Sequence, residues 1–155
     1  MSTIFSLIGA IAGLSGLVFG VIGLIRNRMA AVTSYLEYTR EPDFIEARSI
    51  VWDLSSYDAA GIERDRNKAT KIETVINTYN MTGLLVRHHQ LPKWFFWETA
   101  AGDTVVQFYE KLEPYILYLR KKNGVGTYAN QFEYLYRLLR NQSPKNALRT
   151  GGRRT

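Results

Sequence analysis

The side chains suited to chemistry are few, and their spacing does not assemble a reaction. His88 and His89 are the only histidines, and neighbours on a helix point about 100° apart, so they cannot chelate one metal ion between them. The absence of cysteine removes a thiol nucleophile, a disulfide framework and a Cys-ligated zinc or iron–sulfur site. Glu110 and Glu113 stand three residues apart, an ordinary spacing for a solvated helix face with nothing to mark a pocket for an acid–base pair. Asn123-Gly124-Val125-Gly126 lacks both the full glycine spacing of a phosphate loop and a strand before it, and reads as a helix connection. The expectation is a protein without catalysis, metal or cofactor.

Two arginines and one aromatic run stand out from this plain background. Arg48 sits with Ala47, Ile50 and Val51, and Arg120 follows Ile116 and Leu119, so both need partners in an otherwise apolar setting. Glu133 can offer Arg120 a carboxylate, and Asn80 can cap or bridge near Gly83, which makes Arg48, Asn80, Arg120 and Glu133 a candidate structural network. An enzyme would instead need a hidden pocket beneath the two arginines. Lys93-Trp94-Phe95-Phe96-Trp97 places four aromatics in five positions. The run reads first as a short helix wedged between longer ones, because large rings dominate small cores. The other reading is that Trp94, Phe95, Phe96 or Trp97 meets a membrane interface or a partner.

The elements that must carry these residues fall into two phases. Residues 4–25 form a run of 22 positions without charge, about 33 Å as a helix and enough for a hydrocarbon core of roughly 30 Å. Nothing before the run is basic, whereas Arg26 and Arg28 follow it at once. A cleaved signal peptide needs the opposite arrangement. The positive-inside rule then puts the N-terminus outside and the remaining chain in the cytoplasm. Within the run Ser6, Gly9, Gly13, Gly16, Gly20 and Gly23 alternate at intervals of three and four, with Asn27 and Ala30 continuing the beat. Such a seam lets another backbone approach closely, by a homo-oligomer or by another membrane helix.

The expected fold class is all-α, with residues 1–28 as a transmembrane anchor, 29–141 as a cytoplasmic bundle of four to five helices and 142–155 as a disordered basic tail. Helix 29–39 continues the membrane span. A second begins at Pro42 with Phe44, Ala47, Val51 and Leu54 on one face, and a long one from Ile62 to Arg87 carries Ala69, Ile72, Ile76, Tyr79, Gly83 and Val86. A short helix over 93–101 ends at Gly102, with Asp103 capping a helix bent by Pro114. The last covers Tyr128–Asn141. Residues 29–140 hold 14 basic and 14 acidic side chains, so nucleic acid is a poor fit. The tail's Lys145, Arg149, Arg153 and Arg154 suit anionic lipid better.

The ordered set Ala47-Arg48 with Trp52, Tyr79-Asn80 with Gly83-Leu84-Leu85, Leu112 with Pro114-Tyr115-Ile116 and Arg120, and Tyr128 with Phe132-Glu133 and Leu135-Tyr136 resembles an uncharacterised family of small bacterial proteins. The likeness covers roughly residues 35–140. It implies one N-terminal span, a short helical cytoplasmic domain and a bacterial setting, and carries over no catalytic or ligand-binding residue; with the span, the expected location is the bacterial inner membrane. The expected role is an oligomeric membrane-anchored scaffold, adaptor or regulator. The alternatives are a holin-like or pore-forming oligomer, and an enzyme with a cryptic pocket.

Overall fold

The computed structural model describes residue 23, residues 25–54 and residues 59–141. Among these the regular structure is entirely helical: α1 (25–39), α2 (Pro42–Trp52), α3 (Ala59–Arg64), α4 (Arg66–Arg87), α5 (Lys93–Trp97), α6 (Ala100–Asn123) and α7 (Asn130–Arg140). No described helix is long and apolar enough to cross a membrane. The stretch 4–25 lies outside the described residues apart from Gly23 and Ile25, and so does the tail 142–155.

Local chemistry explains most boundaries. Pro42 opens α2 at a position that needs no N–H donor, and Phe44, Ala47 and Val51 turn its buried face inward. The single helix expected over 62–87 is divided. Asp65 adopts an extended backbone, and its carboxylate accepts from the Lys68 N–H at 3.1 Å, so α4 starts afresh at Arg66. The expected cap at Asp103 is displaced in the same way. Thr99 caps α6 by accepting from Ala101 N–H and also donates to the Phe95 carbonyl at 2.6 Å. A threonine hydroxyl that serves both helices stops α5 at Trp97 and brings α6 forward to Ala100, with Gly102 and Asp103 inside its first turn. At the far end of α6, Gly124 takes the left-handed conformation, φ 67°, which costs glycine little.

The connections alternate direction. α6 runs antiparallel to α4, since Tyr79 meets Phe108 with ring centroids 5.9 Å apart and Glu73 meets Tyr115 further along. α7 reverses α6, with Arg120 beside Asn130 and Tyr109 stacked on Tyr136. An aromatic column ties α2, α4, α6 and α7 together through Phe44, Tyr79, Phe108, Phe132, Tyr109 and Tyr136, and edge-on or offset ring contacts of this kind add to the stabilisation from burial alone. α1 lies across this core through Val32, Tyr35 and Leu36.

Candidate functional site

At the start of α7 a set of polar groups holds the bundle together. Ala129 precedes α7 in the left-handed conformation, φ 59°, and has no side chain with which to cap it. Asn80 of α4 supplies the missing acceptor, its Oδ1 taking the N–H groups of Gln131 at 2.9 Å and Phe132 at 3.2 Å. This is N-capping delivered from another helix. It requires α4 and α7 to touch backbone to backbone. Gly83 permits that, because a Cβ built on it would lie 1.9 Å from the Gln131 carbonyl oxygen. Arg120 closes the corner from α6 by donating to the Tyr128 carbonyl (2.8 Å), Asn130 Oδ1 (3.0 Å) and Glu133 Oε2 (3.0 Å). Glu133 also pairs with Arg137. Burial pushes the Glu133 carboxyl up, but the Arg120 hydrogen bond and the charges of Arg137 and Arg120 outweigh it and leave the group below its ordinary value.

Arg48 does not join that network. It lies on α2 with its guanidinium carbon 6.0 Å from the Phe44 ring centre and 5.8 Å from that of Phe108, an arrangement that stabilises a cation through ring quadrupoles. Its buried Nε has no hydrogen-bond partner. Burial raises the Tyr79 hydroxyl to about 12, and the nearby Arg48 charge opposes that rise. Tyr35 is raised further by burial and by Tyr79, again against Arg48. The four residues grouped from sequence therefore divide, with Asn80, Arg120 and Glu133 at the α7 corner and Arg48 among rings.

The aromatic run divides as well. Phe95 and Phe96 are buried and meet Tyr35 of α1 edge-on at 5.5 and 5.6 Å, so neither ring offers an interface. Trp94 and Trp97 are 42% and 45% exposed. The reason is helical periodicity: in one short helix held against α1 and α6, adjacent residues 95 and 96 take the inner side and 94 and 97 the outer. Gly102 sets the tightness of this elbow, since a Cβ there would stand 2.2 Å from the Phe96 carbonyl oxygen.

A groove of about 560 Å³ runs between α1 and α4. Ala31, Ser34, Tyr35 and Tyr38 form one wall, and Thr74, Thr78, Met81, Thr82 and Leu85 contribute to the other. Neither Arg48 nor Arg120 lines it. Thr70, Thr74, Thr78 and Thr82 each donate to the carbonyl four residues earlier, which satisfies the hydroxyls within α4 and gives the wall an apolar character. Tyr38 closes one end on Thr78 at 3.1 Å. Sequence reading missed this wall, although four threonines at intervals of four were a visible signal.

The small-residue seam enters the description at its end. Gly23, Asn27, Ala30 and Ser34 are exposed, and nothing lies within 4 Å of where a Cβ on Gly23 would stand. Ser6, Gly9, Gly13, Gly16 and Gly20 lie outside the described residues. Arg26 and Arg28 are exposed on the first turns of α1. Among the described residues no group of three His, Asp or Glu side chains could hold a metal ion. His88 caps α4 through its N–H, and His89, φ 59°, takes the left-handed position that lets Gln90 N–H reach the Leu85 carbonyl.

A family model described as a domain of unknown function, DUF4760, matches residues 3–139. The chain belongs to this family. The matched range takes in the uncharged run 4–25 together with nearly all of α1 to α7, so the family domain is wider than the stretch 35–140 on which the resemblance rested. No curated protein and no solved structure matches the chain.

Proposed function

We propose that this DUF4760 protein is a single-pass protein of a bacterial inner membrane, with its N-terminus outside and its helical domain in the cytoplasm, which self-associates along its first helix and serves as a scaffold, adaptor or regulatory binding protein rather than an enzyme. The observation that carries the reading is the state of α1. Gly23, Asn27, Ala30 and Ser34 are exposed on one side of it, and Ser34 is at the same time a wall of the α1–α4 groove. A small-residue seam begun in an uncharged run thus ends at an apolar groove that the described residues leave open. A second copy of α1 fits both features, since close helix approach needs small residues on one partner and an apolar surface beside them.

The absence of cysteine makes the test direct. In native membranes, Ser34→Cys is expected to crosslink to a second copy under mild oxidation, whereas Glu113→Cys, exposed on α6, is not. Adding Gly13→Leu and Gly16→Leu to the Ser34→Cys chain is expected to reduce the crosslinked dimer several-fold. Equal crosslinking at both positions, or a dimer indifferent to the leucines, overturns self-association through this face.

A further inference from the structure

The antiparallel order of the helices collects one set of termini at a single end of the bundle. Tyr38 of α1 meets Thr78 of α4, and Tyr35, one turn nearer the start of α1, meets Phe95 and Phe96 beyond the end of α4. The start of α1, the end of α4, all of α5 and the start of α6 therefore share this end. Residues 25–30 of α1 are exposed throughout, a stalk of about 9 Å by helical rise. α5 bridges the ends of α4 and α6 across the face below that stalk.

We propose that this face docks on an anionic lipid bilayer, which deepens the reading above and rests on its membrane span over residues 4–25. Three observations converge. Trp94 and Trp97 project outward from α5 while the phenylalanines between them hold it to the core, and tryptophan is the side chain that partitions best to the headgroup level. Arg26 and Arg28 are exposed on the stalk, Arg87 is the last residue of α4 and Lys93 adjoins Trp94 at the start of α5, against Glu98 and Asp103 as the acidic groups of the same segments. Arg87 donates to Gln131 and lies over the Tyr134 ring, so it keeps its net charge. Finally, the stalk sets the face at a depth comparable with a headgroup layer, which is roughly 5–8 Å thick on each side of a bilayer. A face with only the tryptophans would suit any apolar partner. The excess of cations on these segments and the short tether to the span select a charged membrane surface.

The test uses the full chain reconstituted in vesicles whose lipids carry brominated acyl chains. Trp52→Phe leaves Trp94 and Trp97 as the only fluorophores of this kind, since the chain has three tryptophans. Quenching is expected to be about twofold or more stronger with one third phosphatidylglycerol than with phosphatidylcholine alone, and to fall at high salt. Arg87→Glu with Lys93→Glu is expected to remove the difference while leaving the circular dichroism unchanged. The same lipid and salt dependence measured in the unmodified chain guards against a folding defect of the variants. Quenching that is absent, or equal in the two lipids, in protein that survives an alkaline carbonate wash overturns the docking alone. Release of the protein by that wash overturns the membrane anchor, and the docking with it.

Discussion

The two ends of the bundle treat the same kinds of side chain differently. At the α7 corner, Arg120 reaches three acceptors, Glu133 serves two arginines and Asn80 caps a helix that has no cap of its own. Nearby, Lys122 and Tyr118 both hold Glu63, at 2.6 and 2.8 Å. At the end crossed by α5, Trp94 and Trp97 face outward, and Arg87 reaches back to the Gln131 amide and the Tyr134 ring of α7 without meeting a carboxylate. Polar groups at the first end are used up in holding helices together. Those at the second keep their charge unpaired by a carboxylate and stand beside two outward-facing tryptophans. A neutral average over residues 29–140 concealed this division.

Substitutions can break that contrast. Gly83→Ala should have the largest effect, because the added methyl has no room against the Gln131 backbone and α4 and α7 must separate. A loss of about 3 kcal/mol or more is expected, beyond ordinary overpacking, since backbone cannot swing aside. Urea unfolding of the protein in detergent micelles measures it, and a loss under about 1 kcal/mol would show that the two helices do not lean on this contact. Asn80→Ala comes next. It strands two N–H groups of α7, for an expected cost of about 1–3 kcal/mol, and hydrogen exchange should accelerate at Gln131 and Phe132 before the rest of α7. Uniform exchange across α7 would instead mean that the cap is supplied by another group. Trp94→Ser with Trp97→Ser should change stability least, by about 1 kcal/mol or less, because both residues lie on the outer side of α5 and are nearly half exposed. A larger loss would move α5 from the interaction surface to the core and erase the difference between the two ends.

Helix content was readable where a residue acts on its own backbone. Pro42 opens α2, and the buried faces Phe44-Ala47-Val51 and Ile72-Ile76-Tyr79-Gly83-Val86 follow from spacing alone. The misplaced boundaries share one cause. Asp65, read as interior to one long helix, caps α4, and Asp103, read as a cap, rides inside α6, because Thr99 is held by the Phe95 carbonyl and takes the capping position first. Propensity offers several acceptable caps in such a stretch, and packing at Gly102 selects among them. The arginines show the same limit. Arg48 and Arg120 have similar apolar neighbours in sequence, but one finds two rings and the other finds carboxylate, amide and carbonyl oxygens.

By itself the sequence determined the all-helical class, the charge-free run before Arg26 and the alternating small residues, because each depends on composition and periodicity along one segment. Only the tertiary structure decided that Asn80 caps a helix at a residue 51 positions further along the chain, that Gly83 is a contact point rather than a face residue, that the aromatic run turns two rings in and two out, and that α1 and α4 enclose a groove. Those outcomes depend on which helix ends meet and how closely their backbones approach, and side-chain order along a single helix carries no record of either.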